Sequence, residues 1–210
     1  MKKMPGLTMV NPNERTKDHK VEKLSPENLE RANGLQLEIE GDFSRTLAAL
    51  NEHFGTEMES RDGGFHVSIV TPRESKVLRK TSLETQREVN VLLDDFALES
   101  DLDIIGIGYI DGSKRDDLRE VDQGKKVAFL AVDSPKLRAI REALGLDPDF
   151  DMHITLGFEV NDIHEHIVGY KDTGGAIKES IEKKADPDLN GFLETLPDDI
   201  RISRVEVVQR

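Results

Sequence analysis

"GGFHVSIVTP", Gly63 to Pro72, places an imidazole and a hydroxyl two positions apart in a run that otherwise reads as an apolar strand. Side chains at i and i+2 of a strand point to the same side. His66 and Ser68 therefore share one face, with Phe65, Val67 and Ile69 on the other. "DMHITLGF", Asp151 to Phe158, repeats the pattern. There His153, Thr155 and Gly157 fall on one face, and Met152, Ile154, Leu156 and Phe158 on the other. Each strand is expected to bury its apolar face and to present His plus hydroxyl on the opposite one, Gly157 leaving room beside them. With 21 Ser and Thr among 210 residues, the spacing alone carries little information. The context carries more.

Upstream of each motif the chain runs in the same order. "LQLEIE" alternates Leu35, Leu37 and Ile39 with polar residues and predicts a strand over 35–40. "DFSRTLAALNEHFG" predicts a helix over 43–54, capped by Asp42 and ended by Gly55, with Phe43, Leu47, Leu50 and Phe54 in a helical stripe. The His66 strand follows at 65–70. In the second half "VAFLAV" predicts a buried strand over 127–132, and Ser134-Pro135 starts a helix over 135–144. The His153 strand, 152–158, comes next. From strand start to histidine is 31 residues in one half and 26 in the other. We read this as a diverged duplication of a strand–helix–strand unit, which puts the two histidines at equivalent places.

Between and around these units, "LSPENLERA" predicts a short helix capped by Ser25. Ser82 to about Leu98 predicts a longer one whose Leu83, Leu92, Leu93 and Phe96 face a core. "DIIGIGYI" predicts a strand in which Gly106 and Gly108 mark close approach of another backbone or a ligand. Asp111-Gly112 turns the chain. Residues 171–200 hold two short helical patterns, and "ISRVEVV" predicts a closing strand.

The net charge is −13, but residues 1–23 carry six Lys and Arg against three acids, so the rest carries −16. Residues 1–23 read as a basic, mobile tail, and 24–210 as one domain. The acidic balance argues against sequence-independent binding of long duplex nucleic acid, which rests on phosphate neutralisation. There is no Cys, which excludes disulfides and thiolate chemistry. No apolar run approaches a membrane span and no signal peptide is evident, so a cytoplasmic protein, a monomer without membrane contact, is expected.

Two imidazoles and two hydroxyls facing a cleft suit the opening of a cyclic phosphodiester. One group must take a proton from water and another must give one to the leaving oxygen. Imidazole titrates near neutrality and can do either; hydroxyls can donate to the non-bridging oxygens, where charge builds. No metal or cofactor is required. "HVSIV" and "HITLGF" resemble the paired H-x-[ST] signature of the two-histidine (2H) phosphoesterase superfamily, which includes the LigT-like proteins. The resemblance covers about 35–160 plus the last strand. It implies an α+β, bilobal fold with pseudo-twofold symmetry, two antiparallel sheets and a central cleft. It also implies metal-independent action on a 2′,3′-cyclic phosphate or a related 2′–5′ or 3′-end linkage of a nucleotide, oligonucleotide or RNA end. His66 and His153 fall on the catalytic histidines, and Ser68 and Thr155 on the phosphate-holding hydroxyls. Tyr109 is the candidate base contact.

The remaining histidines read differently. His19 lies in the tail, and His53 ends a helix, where a protonated imidazole suits the dipole. In "NDIHEHI", His164 and His166 could bind a metal with His153, which would make the protein a metal-dependent hydrolase. A polar loop or short helix capped by Asp162 is the simpler reading. A nucleotide-binding module without turnover is the alternative of another class.

Overall fold

The computed structural model describes residues 20–61, 64–98, 102–114, 120–150, 152–160, 189, 191–198 and 200–209. In chain order the strands are β1 (Lys20–Val21), β2 (Ala32–Glu40), β3 (Glu59–Ser60), β4 (Phe65–Val70), β5 (Asp103–Asp111), β6 (Lys126–Asp133), β7 (His153–Glu159) and β8 (Arg201–Gln209). The helices are α1 (Pro26–Leu29), α2 (Ser44–Phe54), α3 (Ser75–Arg79), α4 (Leu83–Leu98) and α5 (Pro135–Ala143). The fold is α+β, as expected from the sequence.

Local signals explain most boundaries. Ser25 and Asn28 cap each other at the start of α1. Asp42 accepts the Ser44 N–H at 3.0 Å, and Gly55 ends α2 at φ +61. Ser134 accepts the Leu137 N–H and opens α5. In α4 the structure differs from expectation at one position. Val89 and Leu93 are buried and Leu92 is half-buried, whereas Leu83, in the first turn, is 60% exposed. The side chain of Phe96 lies outside the described residues.

The strands form one sheet in the order β1-β8-β2-β4-β7-β6-β5, with β3 paired to β7. All pairs are antiparallel except β1 with β8. The sequence led us to expect two sheets. The strands instead join in a single hydrogen-bonded path, because Val67 of β4 lies opposite Ile154 of β7. The units β2–α2–β4 and β6–α5–β7 thus stand on either side of that junction. The pairing of β1 with β8 shows that the segment assigned to the tail is tied down from Lys20 onward. Glu22 adds backbone and side-chain bonds to Val205 and Val207, and Lys23 reaches Asp94 at 2.6 Å. Residues 1–19 lie outside the described residues. So do His164, Glu165 and His166, and most of 171–200, where a 3₁₀ turn spans Phe192–Thr195.

One face of the sheet is covered. Leu35, Leu37, Ile39, Val67, Leu130, Ile154, Val205 and Val207 bury themselves against Leu47 and Leu50 of α2, Leu78 of α3, Val89 and Leu93 of α4, and Leu137 and Ile140 of α5. All five described helices contribute to this core. The opposite face carries a smaller apolar cluster of Ile110, Val127 and Phe129, with Phe158 packed on it. Among the described residues no helix is long and apolar enough to cross a membrane.

Both motif strands are bulged at the same point. Gln36 pairs with Ser68 but Leu35 with Val70, which leaves Ile69 as an extra residue. Phe129 pairs with Thr155 but Ala128 with Gly157, which leaves Leu156 extra. A bulge bends its strand and reverses the facing of the residues beyond it. The carbonyl freed at Ile69 is taken by Arg141 at 2.6 Å. That guanidinium is fully buried, bonds Asp147 O at 2.6 Å, forks onto Glu74 at 2.8 and 3.2 Å, and lies over the Phe150 ring. It therefore ties the end of β4 to the loop that leads into β7.

Burial pushes the Glu74 carboxyl up, but hydrogen bonds from Arg141 and Thr71 and the Arg141 charge outweigh it and hold it below the ordinary 4.5. A lowered native value contributes stability above the unfolded-state value, and that contribution is lost as pH falls through the native one. Stripping the guanidinium with Arg141→Ala should cost about 3–5 kcal/mol, since it leaves Glu74 and two carbonyls without their partner. Urea denaturation should show this at pH 7. The wild-type advantage over the variant should shrink as pH falls below 4.5.

Candidate active site

β4 and β7 are neighbours near the middle of the sheet, and their register fixes what faces what. With Val67 opposite Ile154 in an antiparallel pair, His66 comes to lie beside Thr155 and Ser68 beside His153. Directly opposed Cβ atoms sit about 4.5–5.5 Å apart, and diagonal ones about 7–8 Å. The two imidazoles are thus diagonal neighbours with a hydroxyl beside each. Val67 and Ile154 point into the helix-covered core, so all four polar groups lie on the other face. His66, Ser68 and His153 are half-buried and Thr155 is buried.

The flanks differ. On the β2 side Glu38 pairs with His66 and Gln36 with Ser68. Beyond them, on β8, Arg204 pairs with Glu38 and Glu206 with Gln36. Glu206 accepts from Gln36 Nε2 at 3.2 Å and from an Arg204 Nη at 3.2 Å. Burial, the hydrogen bond with Glu206 and its charge push the Glu38 carboxyl up, and Arg204 partly offsets them. On the β6 side Ala131 pairs with His153 and Phe129 with Thr155. The Phe129 ring meets the His153 ring edge-on, 5.9 Å between centroids, and lies across Gly108, where a Cβ would fall 2.0 Å from the ring. Among the described residues the β2 side places Glu38 and Gln36 beside the motif, and the β6 side places Ala131 and the Phe129 ring there.

Two expectations meet a different geometry. Gly157 does not share the face of His153 and Thr155, because the bulge at Leu156 turns it toward the helices. A Cβ there would come 2.6 Å from Glu59 O and 2.8 Å from Leu47, so glycine serves the approach of β3 and α2. By the same reversal Phe158 joins the motif face, with Ile110, Val127 and Phe129. Tyr109 pairs with Ala128 and stacks on Phe54 of α2 at 3.8 Å, on the helix-covered face. Burial and the charges of Asp111 and Glu159 push its phenol up to about 12. Gly108 makes room for the Phe129 side chain rather than for a backbone or a ligand, and a Cβ on Gly106 would meet nothing within 4 Å.

Glu38, Gln36, Arg204 and Glu206 were missed as neighbours of the site. Their signal was present as the polar half of two alternating strands, "LQLEIE" and "SRVEVV". A polar strand face reads equally well as solvent-facing until the partner strand is known.

Residues 35–164, well over half of the chain, match the family model described as Swiss Army Knife, 2H phosphoesterase domain. No curated protein and no solved structure matches the chain.

The two glycines should separate in experiment. Gly157→Ala forces a Cβ against backbone and should cost about 1–3 kcal/mol, seen as a lower urea midpoint at unchanged slope. Gly106→Ala should stay within about 0.5 kcal/mol of wild type.

Proposed function

Starting from a chain that belongs to the 2H phosphoesterase superfamily, whose domain implies phosphodiester hydrolysis, we propose that His66, Ser68, His153 and Thr155 form one metal-independent site. Its substrate is a 2′,3′-cyclic phosphate, or a related 2′–5′ or 3′-end phosphodiester, of a nucleotide or RNA end. The observation that carries this reading is the register of β4 against β7, which sets both histidines and both hydroxyls side by side on one face. On this reading the two strand–helix–strand units are the halves of a duplicated, bilobal fold, supported by the matching bulges after Ser68 and Thr155.

The chemistry follows from the placement. One imidazole takes a proton from water as the water oxygen bonds to phosphorus. The P–O bond to a ribose oxygen breaks, and the other imidazole gives that oxygen its proton. Ser68 and Thr155 donate to the non-bridging oxygens, whose charge rises on the way to the transition state. The product is a phosphomonoester beside a free ribose hydroxyl. An acidic chain of net charge −13 favours small nucleotides and short ends over long duplexes.

Removing either imidazole should lower kcat by about 10²–10⁴. His66→Ala and His153→Ala, assayed by chromatography on 2′,3′-cyclic nucleotides and 2′–5′ oligonucleotides, should both show this, and the wild type should keep its activity in chelator. Turnover by both variants at the wild-type rate would reject the site. Loss in chelator, with loss in His164→Ala or His166→Ala, would establish the metal-dependent reading in its place. Binding of the panel without any product would leave a nucleotide-binding module.

A further inference from the structure

We propose that the base of the substrate is guanine, read by Glu38 and Arg204 on the β2–β8 side of the histidine strands. Glu38 accepts the N1–H and a 2-amino hydrogen, and Arg204 donates to O6. The inference rests on the phosphoesterase reading above and deepens it by naming the nucleotide.

The observation is a group of four polar residues in which acceptors and donors alternate. Glu38 pairs with Arg204, and Gln36 with Glu206, across β2 and β8. Glu38 is also opposite His66, and Gln36 opposite Ser68. The group therefore continues the motif face outward, at about 5 Å per strand. Glu206 accepts from Gln36 Nε2 and from an Arg204 Nη, each at 3.2 Å, and shares a hydrogen bond with Glu38. Two carboxyls in such contact repel once both are ionised, and Arg204 offsets this only in part. An N–H donor brought from outside relieves the pair. Arg204 has donors to spare: among the described residues its guanidinium bonds Glu206 alone, and its Nε is buried without a partner.

The two flanks decide which way the base extends. From a phosphate held by the histidines it can run along the sheet face toward β6 or toward β2. The β6 side is closed: Ala131 is 0% and Phe129 1% exposed, with the Phe129 ring packed across Gly108. The β2 side is open. The Arg204 and Glu206 side chains are 34% and 27% exposed, and Glu38 and Gln36 are half-buried. Outward from His66 the base thus meets a carboxylate first and a guanidinium next.

Guanine matches that order and the other bases do not. Its Watson–Crick edge presents two adjacent donors, the 2-amino group and N1–H, and then the acceptor O6. A carboxylate accepts two parallel N–H bonds, and a guanidinium only donates. Adenine turns its N1 lone pair toward Glu38, cytosine turns two acceptors, and uracil has a single donor between two acceptors. Each sets a lone pair against a carboxylate oxygen, and a site built for N–H donors rejects analogues that lack them. A second phosphate in this place would meet Glu38, Glu206 and the charge of Glu40, which outnumber Arg204.

The test compares bases on the full chain. Wild-type kcat/KM is measured for the 2′,3′-cyclic phosphates of guanosine, inosine, adenosine, cytidine and uridine. Guanosine should lead the other natural bases by about tenfold to a hundredfold, the worth of a hydrogen bond to a charged group. Inosine, which keeps N1–H and O6 but lacks the 2-amino group, should fall between guanosine and adenosine. Glu38→Gln and Arg204→Gln should each lower the guanosine-to-adenosine ratio by about tenfold, a change that a general loss of activity does not produce. Should Glu38→Gln misfold, Glu206→Gln, which removes the hold on Arg204, reads the same ratio. Calorimetry reads it without turnover, as the affinity for guanosine 3′-monophosphate over adenosine 3′-monophosphate. A guanosine preference in affinity that the Glu38 variant loses upholds the base assignment even where no cyclic phosphate is cleaved. Equal rates and affinities across the bases, a lead for another base, a guanosine lead that survives the variants, or no binding of either monophosphate would overturn it.

Discussion

Everything on the face that carries the two histidines depends on one register, Val67 opposite Ile154 where β4 meets β7. The side-chain period of a strand is two, so a slip by one residue would send either histidine into the helix-covered core. The apolar residues of the two strands resist that slip: Val67, Ile69 and Ile154 are each no more than 1% exposed. Arg141 adds a directional tie. Its bonds to the Ile69 carbonyl, to Glu74 and to the Asp147 carbonyl span the end of one motif strand and the approach to the other. A fully buried guanidinium is tolerated only with such partners.

The bulges after Ser68 and Thr155 work with that register. Each lets a strand present His and hydroxyl outward and then turn its next residues to other uses. In β4 Val70 returns to the core beside Leu35. In β7 Gly157 admits Leu47 and the β3 backbone, and Phe158 joins the apolar cluster of the motif face. Beyond them the outer strands give the face its two different flanks, Glu38, Glu206 and Arg204 to one side, Ala131 and Phe129 to the other.

The spacing of polar and apolar residues made much of this legible from sequence. Leu35, Leu37 and Ile39 marked β2 by alternation, Gly55 and Ser134 marked helix boundaries, and the two His-x-Ser/Thr runs marked the strands that prove to be neighbours. Facing beyond the bulges was not legible. In "HITLGF" the extra residue Leu156 keeps the alternation of apolar with polar or small residues, so nothing in hydropathy marks it, and Gly157 and Phe158 were placed on the wrong sides. Tyr109 shows a second limit. Its strand was found, but its face follows from pairing with Ala128 and stacking on Phe54, which are long-range contacts. Glu38 and Arg204 are 166 positions apart in the chain and meet only because β8 returns to lie beside β2.

The central claim is that His66 and His153 act as one catalytic unit on a phosphodiester. A double-mutant cycle on kcat/KM for a 2′,3′-cyclic nucleotide tests this most directly. Groups that share one transition state are strongly non-additive, so the His66→Ala/His153→Ala double variant should be little slower than the slower single variant. Two full, additive losses would contradict a single shared site.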